Sequence, residues 1–181
     1  MSEKEKVEKA LDFYNKGEYQ RAIDIFSSVL ETCQDNAELY NNIALCYANL
    51  NDFDRAEKNY LKAQELNPKL AQVYINLADI YYRRKDMGNG IGLLTTGICE
   101  IPDNLVLRHY LARFYMEDAR LDLAIDELEN ILEKQDATKE EVDQACANLR
   151  NAVFGLRLIP SKEKLEELAR QRDPLYREVA D

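Results

Sequence analysis

The sequence predicts an all-α protein made of stacked antiparallel helix pairs, and three observations carry that prediction. A small residue returns every 34 positions, at Ala22, Ala56, Gly90 and Ala124. Around each of them apolar residues recur at spacings of three and four, which places them on one stripe of a helix. Good helix formers dominate, and there are only four prolines and six glycines in 181 residues. No alternating strand pattern competes.

The elements follow in order. In the first unit, residues 3–36, Ala10, Phe13, Gly17, Tyr19, Ala22, Phe26 and Leu30 keep the pattern, while Lys6, Lys9 and Gln34 replace apolar or turn residues. Its opening turn should be the most solvated. In the second, residues 37–70, Tyr40, Ile43, Ala44 and Tyr47 form one stripe. After Asn51 and Asp52 comes a second stripe, Phe53, Ala56, Tyr60 and Ala63, which ends before Pro68. Ala44 and Ala56 are small where the two helices should face each other, so the axes can approach toward the short end of about 8–10 Å. The third unit, residues 71–104, reads Tyr74, Leu77, Ala78, Tyr81, Gly90, Leu94, Gly97 and Pro102. The fourth, residues 105–137, keeps Leu111, Ala112, Tyr115, Ala124, Leu128 and Ile131 but has Arg108 for the leading large residue and Asp136 for proline. One pair has more apolar stripe than it can cover alone, so neighbouring pairs must stack.

The tail, residues 138–181, departs from the step. Thr138 and Glu141 form a capping box, and Val142, Ala145, Cys146, Leu149, Val153 and Leu156 are the stripe of a longer helix expected to cover the end of unit four. Pro160 and Ser161 break the chain before Leu165, Leu168 and Ala169, and Asp173 with Pro174 can start another helix. These C-terminal helices are read as a cap. The alternative is that Leu175, Tyr176 and Val179 reach into a groove or onto a second molecule.

The residues Tyr40, Ile43, Ala44, Tyr47, Ala56, Tyr60, Ala63 and Pro68 resemble the tetratricopeptide repeat pattern, and the four units together cover about three quarters of the chain. The resemblance implies a right-handed α-solenoid that binds other proteins and catalyses nothing. It also implies a ligand groove on the concave wall, lined by first-helix positions. Those positions supply Glu38, Asn41, Asn42, Leu45 and Asn49 from unit two, Gln72, Ile75, Asn76, Asp79, Tyr82 and Arg83 from unit three, and Val106, His109, Tyr110, Arg113 and Met116 from unit four. Asn42 and Asn76 share a register, and a carboxamide that donates and accepts suits an extended peptide backbone; the alternative is that these asparagines bond locally to the neighbouring helix. Arg83 and Arg113 can grip carboxylates, with Tyr82 and Tyr110 as rigid area beside them, so an extended segment bearing acidic residues is the expected partner. The carboxylate clamp of one chaperone-binding subgroup is not reproduced, because Val7, Leu11, Gln72 and Asn76 stand where its basic and asparagine residues would be.

A net charge of −10 argues against nonspecific binding to nucleic acid or to an anionic membrane. No apolar run is long enough to span a bilayer, and Met1–Lys6 lacks a signal-like segment. Cys33, Cys46, Cys99 and Cys146 form no Cys-x-x-Cys pair and read as reduced thiols, which places the protein in the cytoplasm. The single histidine, His109, has no nucleophile at a suitable spacing, so no catalytic residue, metal site or cofactor is expected. The cluster Gly88-Asn89-Gly90-Ile91-Gly92 follows no strand and lacks a Gly-Lys-Ser/Thr sequence, which excludes a phosphate loop.

Gly90 and Gly97 fill small-residue positions of the repeat, but Gly88 and Gly92 do not. They fall on the outer, convex side, either as tolerated glycines on an open surface or as a bare strip on which a second subunit or an outside partner packs. The function read from the sequence is a non-enzymatic adaptor that holds an extended segment in its groove. The alternatives are a cytosolic tetratricopeptide-type chaperone of secreted substrates and a scaffold that forms homo-oligomers.

Overall fold

The computed structural model describes residues 2–134 and 137–156, the last eight by backbone alone. Nine α-helices account for the secondary structure of these residues, in the order α1 (Glu3–Asn15), α2 (Tyr19–Leu30), α3 (Ala37–Asn49), α4 (Phe53–Leu66), α5 (Ala71–Arg83), α6 (Met87–Glu100), α7 (Leu105–Glu117), α8 (Leu121–Glu133) and α9 (Lys139–Leu156). The all-α expectation holds. The chain divides into two compact units at the Pro102–Asp103 bond. The first holds the pairs α1–α2, α3–α4 and α5–α6, and the second holds α7–α8 with α9 packed on both.

The 34-residue step reaches into the turns. Gly17, Asn51, Lys85 and Ala119 stand at the same point between paired helices, and all four have positive φ, at 77°, 60°, 57° and 57°. Each turn is closed by the same two backbone bonds. In the first, Gly17 N–H donates to the Tyr14 carbonyl at 2.9 Å and Glu18 N–H to the Phe13 carbonyl at 2.9 Å. In the third, Lys85 N–H donates to Tyr82 at 3.0 Å and Asp86 N–H to Tyr81 at 2.9 Å. This is the Schellman ending, which satisfies carbonyls that the helix leaves open. It reverses the chain within three residues and sets each second helix back against its first.

Caps repeat as well. First helices start after Ser2, Asn36, Leu70 and Asn104, and all but Leu70 accept a backbone N–H with the side chain. Ser2 and Glu5 form a reciprocal capping box, with Ser2 N–H donating to Glu5 Oε2 at 2.8 Å and Glu5 N–H to Ser2 Oγ at 3.2 Å. The solvated opening turn is thus held by its own cap. At α9 the expected box is present: Thr138 N–H donates to Glu141 Oε2 at 2.8 Å, and Glu141 N–H donates to Thr138 Oγ1 at 3.3 Å.

The core of each unit is a strip of small and large side chains. Ala10, Ala22, Ala44, Ala56, Ala78, Ala112 and Ala124 are wholly buried, so paired helices meet over methyl groups. Phe26, Tyr60, Tyr74, Leu94, Phe114 and Leu128 are large buried side chains beside them. A fully buried side chain of this size stabilises by about 1.5–3 kcal/mol. Arg108, in the position of Tyr40 and Tyr74, is accommodated by a largely buried ion pair with Glu127 of α8 at 2.9 Å. On α9, Val142, Ala145 and Cys146 pack with Leu128, Ile131 and Leu132, so the tail helix covers the fourth pair's apolar stripe. Asp136, the side chains of Leu149, Val153 and Leu156, and everything from Pro160 through Val179 lie outside the described residues.

Candidate functional site

The first helices of unit 1 are tied to one another by polar side chains. Asn49 on α3 donates through Nδ2 to Tyr14 Oη on α1 at 3.3 Å, and also to the Leu45 carbonyl at 2.8 Å. Asn76 on α5 donates to Asn41 Oδ1 on α3 at 3.2 Å and accepts from Gln72 Nε2 at 2.8 Å. The result is a polar seam across α1, α3 and α5. Among the described residues, Asn41 is the one asparagine, glutamine or charged side chain in the buried core, at 8% exposure. An asparagine offers two donor hydrogens and two acceptor lone pairs, so Asn76 keeps one of each after these two bonds.

Asn41, one of the first-helix positions read from the sequence, is the partner of Asn76. Asn42, which shares the register of Asn76, is half-buried. Leu45 and Tyr82 are half-buried, and Asn49 is exposed. Arg83 does not present a bare guanidinium: its Nε donates to Asp79 Oδ2 at 2.8 Å, and the group lies 5.9 Å above the Phe53 ring. This pair is exposed, so its net worth is about 0–1 kcal/mol and it can be exchanged for a ligand.

Under this face lie groups that stay neutral. Burial pushes the Cys46 thiol up to about 11 and raises the Tyr60 phenol far above its ordinary value. Tyr14 is raised by burial, partly offset by the bond from Asn49. Cys33 is also raised, chiefly by its contact with the Glu3 carboxylate at 3.2 Å. No disulfide joins Cys33, Cys46, Cys99 or Cys146, and the two thiols whose values are shifted favour the protonated form.

In unit 2 the predicted residues sit on α7. The Arg113 guanidinium lies 4.7 Å over the Tyr110 ring, a cation–π contact between neighbours one turn apart. His109 Nε2 is 2.8 Å from Asn148 Nδ2 of α9. An amide nitrogen only donates, so this nitrogen accepts and the imidazole is neutral with its proton on Nδ1. Burial, then the charge of Arg113, holds its pKa below the usual histidine value. The histidine therefore serves to seat α9.

Gly88 and Gly92 are exposed on α6, and a Cβ added at either would meet nothing within 4 Å. Among the described residues, no three His, Cys, Asp or Glu side chains are grouped to hold a metal, and no helix is long and apolar enough to cross a membrane.

A family model for the tetratricopeptide repeat matches residues 37–70, the span of α3 and α4. The chain is 26% identical over 116 residues to the BBSome complex member BBS4 of Bos taurus, covering 64% of this chain and 22% of that protein. The chain thus spans less than half the length of the curated relatives it matches. Among solved structures it is similar to MamA, with a TM-score of 0.68 at 19% identity over 82% of this chain and 85% of that one. It is also similar to YrrB, described as a tetratricopeptide repeat protein with an unusual peptide-binding site, with a TM-score of 0.64 at 16% identity over 97% of this chain and 89% of that one. At these identities the likeness carries the all-α repeat-solenoid fold.

Proposed function

We propose that this tetratricopeptide repeat protein is a non-enzymatic adaptor that holds an extended segment of a partner across the first helices of unit 1. The observation that carries this reading is the polar seam of Asn41, Asn76 and Gln72, which retains donor and acceptor capacity at the spacing of neighbouring helices. An extended backbone presents the matching alternation of C=O and N–H groups. The peptide-binding site attributed to YrrB, of the same fold, agrees with this reading. Asp79 and Arg83 flank the seam as an exchangeable pair, so the segment it holds can carry either sign of charge, including the acidic residues expected from the sequence. Thiols outside any disulfide and the net charge of −10 suit a cytoplasmic protein with protein rather than nucleic-acid partners.

A photo-crosslinking side chain tests the reading. Placed at Asn42 or Gln72, it is expected to capture a discrete partner from the source cell, whereas the same group at Lys58 on α4 captures none. Equal capture from all three positions would remove the case for the seam.

A further inference from the structure

We propose that unit 2 carries a second recognition site, a cleft of about 370 Å³ between α7 and the start of α9 that takes a lysine or arginine side chain of a partner segment. The inference deepens the adaptor reading and rests on it. The cleft floor is apolar, with Leu105 and Ile131 buried, and Val106 stands 41% exposed at its lip. The α9 wall carries Glu140, Glu141 and Gln144, and among the described residues no lysine or arginine lines the cleft.

The surrounding charges decide what fits. Lys134 is tied to Asp103 at 2.8 Å, Arg113 is stacked on Tyr110, and His109 is neutral. Lys139 is exposed beside the carboxylates but outside the lining. An anion would be drawn to the start of α9 by the helix dipole. Here that end is already answered, because Thr138 accepts from Glu141 N–H and Val142 N–H and two carboxylates occupy the first turn. A long cationic side chain suits both surfaces. Its methylene stem lies on Leu105 and Val106, and its head reaches Glu140 and the free oxygen of Glu141. Affinity comes from the stem and sign selectivity from the carboxylates.

The test is a titration of the isotopically labelled full chain with an end-blocked heptapeptide of alanine and leucine carrying one central lysine, followed by NMR. The controls are the same peptide with norleucine or glutamate at that place. The lysine peptide is expected to shift the amides of Val106, His109 and Gln144 and to bind about 5-fold more tightly than the norleucine peptide. In the double variant Glu140→Gln/Glu141→Gln that difference should vanish while the melting curve is kept, since glutamine also serves in a capping box. Equal binding of the norleucine or glutamate peptide would overturn the proposal, as would shifts that avoid the cleft. Because model peptides report on the cleft directly and crosslinking reports on the seam, either reading can fail alone.

Discussion

The pairs α3–α4 and α5–α6 occupy the same register and bury equivalent residues, yet their outer helices are opposites. Both place small residues against the first helix, Ala56 and Ala63 in one and Gly90 and Gly97 in the other. Both seat a large residue between them, Tyr60 or Leu94. On the solvent side α4 carries Asp54, Arg55, Lys58, Lys62 and Glu65, whereas α6 has one charge, Glu100, and exposes Gly88, Gly92, Thr95 and Thr96. Thr95 and Thr96 turn their hydroxyls back to the Ile91 and Gly92 carbonyls at 2.9 Å each. The comparison separates what the repeat demands from what it leaves unconstrained. Close helix approach is demanded; the outer face is not.

The largest effect should come from breaking what the two pairs share. Ala56→Leu is expected to destabilise by about 1–3 kcal/mol, because the added atoms have no room between α3 and α4. Urea denaturation followed by circular dichroism reads the change, and a null effect would mean that the small-residue step is not a packing constraint. What they do not share should respond the other way. Gly92→Ala has open space for its Cβ and is expected to stabilise by about 1 kcal/mol, with Gly88→Ala gaining less in the first turn. A loss in either variant would signal that this face packs on something, as the sequence suggested. A smaller contrast lies in the turns. Lys85→Gly should gain about 0.5–1 kcal/mol by relieving a left-handed residue with a Cβ, and Asn51→Gly should gain a few tenths, since asparagine tolerates that conformation.

How much of this was visible in the sequence varies from residue to residue. The helix pairs, the buried alanines and the Thr138–Glu141 box followed from spacing, because each depends on neighbours within one turn or one repeat. The positive φ at Lys85 and Ala119 was obscured because neither is glycine, although Gly17 advanced by the 34-residue step points straight to them. Arg108 read as a lapse in the pattern until Glu127 appeared beside it. The site was less legible than the fold. Asn41 and Asn42 differ by one residue, about 100° around a helix, and which of them faces α5 is set by how the pairs stack. His109 needed Asn148, 39 residues away on a helix outside the repeat, before its role could be seen.

The seam between α3 and α5 is where the two pairs act together, and it holds the central claim. The direct measurement is the affinity for the crosslinked partner segment of the double variant Asn41→Leu/Asn76→Leu against the unaltered protein. Replacing both members of a hydrogen-bonded pair with apolar groups of similar size leaves stability nearly unchanged. The account predicts a melting temperature close to the original and binding about 10-fold weaker, a loss of about 1.4 kcal/mol. Undiminished binding by a fully folded variant would contradict it.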